Sequence, residues 1–125
     1  MRPLVLTFDI GTQSCRGVIV DEEGTFLSFI QKKFVKPYFS LNPNWAEQNS
    51  EFYWNSICEI SKELKNQAGD IWDDIKAVSI TTIRDTTVCV NKEGMPLRPA
   101  IIWLDKREAS IKKPLPASKS AILAA

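Results

Sequence analysis

Leu4-Val5-Leu6-Thr7-Phe8-Asp9-Ile10-Gly11-Thr12-Gln13-Ser14-Cys15-Arg16-Gly17-Val18-Ile19-Val20 is the stretch on which the fold turns. Residues 4 to 8 form a nearly continuous apolar run that ends at Asp9, the pattern of a central strand buried on both faces. Gly11 breaks the run, and Gly17-Val18-Ile19-Val20 is rich in β-branched residues and predicts a second strand. Asp21-Glu22-Glu23-Gly24 predicts a turn, with a glycine available for positive φ. Thr25 to Phe34 predicts a third strand carrying Phe26, Leu27, Phe29, Ile30 and Phe34. Connections this short make the three strands antiparallel neighbours.

Outward from that meander, residues 36 to 46 hold Pro37, Pro43 and two asparagines and predict a loop. A helix follows from about residue 50, with Asn49 or Ser50 as cap and Glu51 at the positive end of its dipole. Tyr53, Ile57, Ile60, Leu64 and Ala68 recur at spacings of three and four, a stripe that faces a core, and Gly69 supplies a stop. Ile75 to Ile83 predicts a strand which, reached through a helix, runs parallel to an earlier one. Thr86 to Val90 and Arg98 to Trp103 predict a closing hairpin around the turn Lys92-Glu93-Gly94-Met95-Pro96. The order is β-β-β-α-β-β-β, an α/β class with a mixed sheet. Past Arg107 the pattern lapses, so residues 1–108 are expected to be the front part of a domain. Residues 109–125 are expected to be an irregular or partly helical tail that leads into missing elements.

The 125 residues fit one domain, and 44% apolar with 25% charged residues is the balance of a globular protein. Sixteen Lys and Arg against fifteen Asp and Glu leave +1, which argues against nucleic-acid binding through bulk charge and against a polybasic membrane surface. No histidine is present, which removes the usual general base and the Ser-His and Cys-His nucleophile pairs. Cys15, Cys58 and Cys89 are odd in number and far apart, which fits a reducing compartment better than a disulfide scaffold. Neither a signal peptide nor a span of about 20 apolar residues is visible, and a cytoplasmic location is expected.

Four short motifs could carry chemistry. In Asp9-Ile10-Gly11-Thr12-Gln13-Ser14-Cys15-Arg16, an acid at the end of a buried strand must be paired or bind a cation. Gly11 permits a tight turn, Thr12, Gln13 and Ser14 add donors, and Arg16 offers a planar fork to phosphate. An acid for Mg²⁺ beside donors for phosphate suits nucleotide chemistry, although a plain β-hairpin would use the same residues to satisfy its own turn. The Gly-Lys-Ser/Thr ending of a Walker A loop is missing. Arg84-Asp85 presents donors and an acceptor suited to a polyol, or a surface ion pair. Trp103, followed by Leu104-Asp105-Lys106-Arg107, could wall a sugar or pack on the core. In Trp45-Ala46-Glu47-Gln48 the indole is expected to pin the helix end.

In combination these motifs are more specific. Asp9-x-Gly11-Thr12-x-Ser14-x-Arg16, then Glu47-Gln48 before a helix with Trp54, then Arg84-Asp85, then Trp103-x-Asp105-x-Arg107 closely resemble the N-terminal domain of the FGGY family of carbohydrate kinases, over residues 4 to about 108. The resemblance implies a ribonuclease H-like (actin-like ATPase) fold with β-β-β-α-β order, present here as an incomplete domain. It implies two domains in the whole kinase, with sugar or polyol and ATP in the cleft between them and Mg²⁺ at the phosphates. Asp9 would belong to the metal site. Thr12, Gln13, Ser14 and Arg16 would face the nucleotide phosphates, and Arg84, Asp85 and Trp103 would hold the substrate. No catalytic base falls in this chain, since the family carries its catalytic aspartate downstream.

Asp85 is one methylene shorter than the Glu of glycerol kinases, Ile83 replaces a frequent glutamine, Ser79 replaces a frequent glycine, and the Met-His pair of xylulose kinases is absent. Which sugar or polyol is bound is therefore open. The chain alone is expected to be inactive, and to self-associate through core surface left exposed. Two competing readings share the fold: a ribonuclease H-like nuclease using Asp9, Glu51 or Glu59, and Asp85 around two metals, and a non-catalytic actin-like interaction module.

Overall fold

The computed structural model describes residues 3–108, so the tail expected over 109–125 lies outside the described residues. Strands β1 (Leu4–Ile10), β2 (Ser14–Val20) and β3 (Phe26–Lys33) form the antiparallel meander. A two-residue strand β4 (Glu47–Gln48) precedes helix α1 (Glu51–Ala68), and a 3₁₀ turn over Gly69–Asp74 leads into β5 (Ile75–Thr81). Another two-residue strand, β6 (Ala100–Ile101), comes last among the described residues. The main sheet has the order β3-β2-β1-β5, with β5 parallel to β1 as expected for a strand reached through a helix.

Helix α1 begins where Asn49 Oδ1 accepts the Glu51 N–H at 3.1 Å, while the Ser50 hydroxyl makes no capping bond. It ends at Gly69, whose φ of 55° lets its N–H return to the Lys65 carbonyl. Ile60 and Leu64, from the apolar stripe, are fully buried against Leu4, Leu6, Phe8, Ile10, Cys15 and Ile19, and Tyr53, Ile57 and Ala68 pack around them. Each such side chain contributes about 1.5–3 kcal/mol on burial. Trp54 lies off this stripe and is exposed.

Three expectations are corrected. First, β1 is buried on one face: Leu4, Leu6, Phe8 and Ile10 are covered, but Val5, Thr7 and Asp9 are half-buried, because among the described residues only α1 is layered on the sheet. Second, β2 starts at Ser14 rather than Gly17, so Ser14, Cys15 and Arg16 are strand residues and the turn shrinks to Gly11-Thr12-Gln13. Third, the closing hairpin is reduced to isolated bridges, Thr87 with Ile101 and Val90 with Pro96. Pro96 and Pro99 remove the donors a continuous ladder needs. Strand β6 pairs instead with β4, which lies between the expected loop over residues 36 to 46 and the expected helix from about residue 50.

No helix among the described residues is long and apolar enough to cross a membrane. Strand β5 is bare: Val78 and Ile80, cross-strand from Leu6 and Phe8, face the α1 side of the sheet but remain 60% and 51% exposed.

Gly17 sits where α1 crosses the sheet. A Cβ there would overlap Ile60 Cγ2 and come within 2.8 Å of Leu64 Cδ1. We expect Gly17→Val to lower stability by about 1–3 kcal/mol through overpacking, measured as a drop in the urea midpoint; an unchanged midpoint would show that the helix can lift off without cost.

Candidate functional site

The turn between β1 and β2 closes with the Gly11 N–H donating to the Ser14 carbonyl at 2.9 Å. An added Cβ at Gly11 would stand 3.2 Å from that same oxygen, so a glycine keeps the turn tight. Asp9 and Arg16 face each other across the hairpin, and Arg16 Nη1 donates to Asp9 Oδ2 at 2.6 Å. Gln31 stands opposite Arg16 on β3, and with its amide oxygen turned inward it accepts from Arg16 Nε and Nη2 at 3.2 Å each. The two charged side chains remain 49% and 41% exposed, so the pair itself adds little stability. Gln13, Ser14, Arg16, Gln31 and Lys33 line a recess of about 360 Å³ beside the turn, with donors and two cationic side chains on its wall.

Asp9 is a solitary carboxylate. Among the described residues no three His, Cys, Asp or Glu side chains converge as a metal cage. Mg²⁺ is commonly held by one or two carboxylates together with phosphate oxygens and water. Asp9 thus suits one ligand of such an ion and cannot hold it alone. The two-metal nuclease constellation has no counterpart, and Glu59 is engaged by Lys32.

The second part of the site follows β5. Ile83, Arg84, Asp85 and Trp103 enclose a recess of about 250 Å³. Arg84 and Asp85 are exposed, neither forms an ion pair among the described residues, and Asp85 has a φ of 54°, a left-handed conformation that is uncommon outside glycine. The 56%-exposed Trp103 ring reaches the hairpin, where its Nε1 donates to Thr12 Oγ1 at 2.9 Å. Residues 12, 84, 85 and 103 thus come together from three separate stretches of chain.

A buried polar network holds these parts in place. Glu47, 3% exposed, accepts from Arg107 Nη2 at 3.0 Å and also from Arg98. Asp105 accepts from Arg107 Nε at 2.7 Å and from the Ala46 N–H at 2.7 Å, and the Arg107 guanidinium stacks 3.9 Å over the Trp45 ring. Arg107's side-chain hydrogen bonds, more than the Ala46 and Arg107 backbone donors, hold the Asp105 carboxyl well below the usual carboxylate range against the opposing effect of burial. The Asp105 bond likewise raises Arg107. Gln48, also buried, donates to the Thr12 carbonyl at 3.2 Å and to the Pro37 carbonyl, and accepts from Tyr53 Oη at 2.6 Å. Burial pushes the Cys15 thiol up, which suits a packing role.

The model of the FGGY family of carbohydrate kinases, N-terminal domain, matches residues 4–121. The chain belongs to this family. Glycerol kinase 2 of Thermotoga maritima is 37% identical over 108 residues, covering 86% of this chain and 21% of that protein. Glycerol kinase 1 of Streptomyces avermitilis is 33% identical over 114 residues, 90% of this chain and 22% of its own length. Among solved structures, xylulose kinase from Rhodospirillum rubrum superposes with a TM-score of 0.73 at 27% identity over 83% of this chain and 21% of that one. Plasmodium falciparum glycerol kinase, solved with ADP, gives 0.66 at 26% identity over 85% of this chain and 21% of that one. The α/β fold with β-β-β-α-β order is therefore that of FGGY kinase N-terminal regions, and the chain spans about a fifth of the length of these relatives.

In this FGGY chain, sequence patterning passed over the structural weight of Glu47, Gln48, Asp105 and Arg107. The available signal was Glu47-Gln48 directly after apolar Ala46, and Asp105 three residues after apolar Ile102, both apolar residues being buried. The Trp45 ring, expected to pin the helix end, carries Arg107 on its face.

Because Asp105 is depressed in the folded state, its tie contributes fully above the ordinary aspartate range and is lost only as pH falls below about 4 toward the folded value. Tryptophan fluorescence should show an acid step in the wild type that Asp105→Asn lacks, and the variant should be the less stable at neutral pH. Identical acid titrations of the two proteins would contradict this.

Proposed function

We propose that this chain forms the front part of the N-terminal domain of an ATP-dependent kinase that phosphorylates a hydroxyl of a sugar or polyol. The observation that carries the reading is the Trp103–Thr12 contact: Trp103 touches the phosphate hairpin while its ring lines the recess of Arg84 and Asp85. A phosphate end and a polyol end on one edge are what transfer between a nucleotide and a hydroxyl requires.

In this reading Arg84 donates to substrate hydroxyls, Asp85 accepts from them, and Trp103 covers the carbon face and excludes water. Thr12, Gln13, Ser14 and Arg16 would donate to the nucleotide phosphates, and Asp9 would be one carboxylate ligand of Mg²⁺. ATP supplies the phosphoryl group and Mg²⁺ offsets its charge. The proton of the attacking hydroxyl is left to a base outside this chain, so the chain alone is inactive. The free cysteines fit a cytoplasmic setting. The bare face of β5, with Val78 and Ile80, favours self-association of the isolated chain, and light scattering that shows only monomer at high concentration would refute that part.

Hydrogen bonds to a charged partner contribute on the order of 1.5–3 kcal/mol. In the full-length kinase, Asp85→Ala should therefore lower kcat/KM for the sugar by about one to two powers of ten. Asp9→Ala should instead give a loss that depends on Mg²⁺ and is equal for every sugar. If Asp85→Ala left the ranking and efficiency of all sugars unchanged, the substrate assignment would fall.

A further inference from the structure

Thr12 is where the two ends of the site meet, and it is held on both sides. Its carbonyl accepts from Gln48 Nε2 at 3.2 Å, and Gln48 is in turn fixed by Tyr53 Oη at 2.6 Å. Its hydroxyl oxygen lies 2.9 Å from Trp103 Nε1. The polarity of that second bond is not negotiable: an indole nitrogen can only donate, so Thr12 Oγ1 is the acceptor. A hydroxyl carries one proton, and here it does not lie between the two residues. It is therefore available to a further acceptor.

We propose that Trp103 is a positioning residue for the phosphate end of the site: by donating to Thr12 Oγ1 it sets the Thr12 hydroxyl as an outward donor that selects an anionic oxygen, a phosphoryl group of the nucleotide. This rests on the kinase reading above. It adds that the residue walling the sugar also orients a phosphate ligand 91 positions earlier in the chain. The physical gain is preorganisation, since a donor already turned toward the developing charge needs no reorientation during reaction. A phenylalanine at 103 would keep the apolar wall and lose the N–H, leaving the threonine rotor free to accept as readily as to donate. Trp103 is more than half exposed, so the exchange should not disturb the fold.

The test is a double-mutant cycle in the full-length kinase, with MgATP and whichever of glycerol, D-xylulose and D-gluconate it turns over best. If it turns over none of them, MgADP binding by calorimetry reads the same cycle. A net hydrogen bond of ordinary strength corresponds to a factor of about three to ten. Trp103→Phe should raise the nucleotide KM, lower kcat or weaken MgADP binding by that factor, with a much smaller change in sugar KM. Thr12→Val should cost about as much, and the double variant no more than Thr12→Val alone. Thr12→Ser, which keeps the hydroxyl, should preserve the sensitivity to Trp103→Phe. If the two losses multiply, or if Trp103→Phe acts only on sugar KM, the positioning role is wrong and the wall assignment stands. If Trp103→Ala and Thr12→Val both change nothing, with melting temperatures unaltered, the site reading itself fails and this inference fails with it.

Discussion

The main sheet and the tip of its first hairpin depend on how closely α1 can lie on the sheet. At Gly17 there is no room for a side chain between β2 and the Ile60 and Leu64 side chains of the helix. That contact sets the height of α1 above the meander. It therefore also sets the position of the first turn, where Tyr53 reaches Gln48 and Gln48 reaches the Thr12 carbonyl. A packing constraint in the core is passed by hydrogen bonds to the tip of the β1–β2 hairpin. Interiors are close-packed, so such a contact cannot be traded away by small adjustments elsewhere.

A different force holds the later part of the chain. Residues 98 to 107 contribute few buried apolar side chains, chiefly Ala100 and Ile102. They are tied down by Glu47, Asp105, Arg98 and Arg107 around the β4–β6 pair. Buried ion pairs are seldom a large source of net stability, because desolvation offsets most of the attraction. They are demanding about geometry, however, and a fork of guanidinium donors on two carboxylates admits few arrangements. Two residues before Asp105, the Trp103 ring is thereby delivered to Thr12 and to the Arg84–Asp85 recess.

A left-handed backbone conformation occurs at the same recess. Of the two non-glycine residues with positive φ among the described residues, Asp85 lies in the recess and Asn44 lies in the loop ahead of β4, where its carbonyl accepts the Lys106 N–H at 2.8 Å. A conformation that side chains rarely adopt persists only where surrounding contacts impose it. At Asp85, four residues past the end of β5, it bends the chain immediately after Arg84, and both side chains line the recess although adjacent residues of a strand would face opposite ways.

The amino-acid sequence by itself determined the local elements. Apolar runs and β-branched clusters placed β1 to β3, the three-and-four spacing placed α1 and its buried stripe, and a strand reached through a helix had to be parallel. Short connections and side-chain periodicity are local properties, so they are written locally. The motif Asp9 to Arg16, Arg84-Asp85 and Trp103 was also legible, because unusual residue types stood at strand ends. What only the tertiary structure decided was which of these meet. That Glu47-Gln48 forms a strand with Ala100-Ile101, that Gln48 reaches the Thr12 carbonyl, that Arg107 reaches Glu47, and that Trp103 donates to Thr12 depend on partners between 36 and 91 residues apart. No pattern in a window of sequence reports such pairs, since their free energy exists only once the fold has brought both segments together.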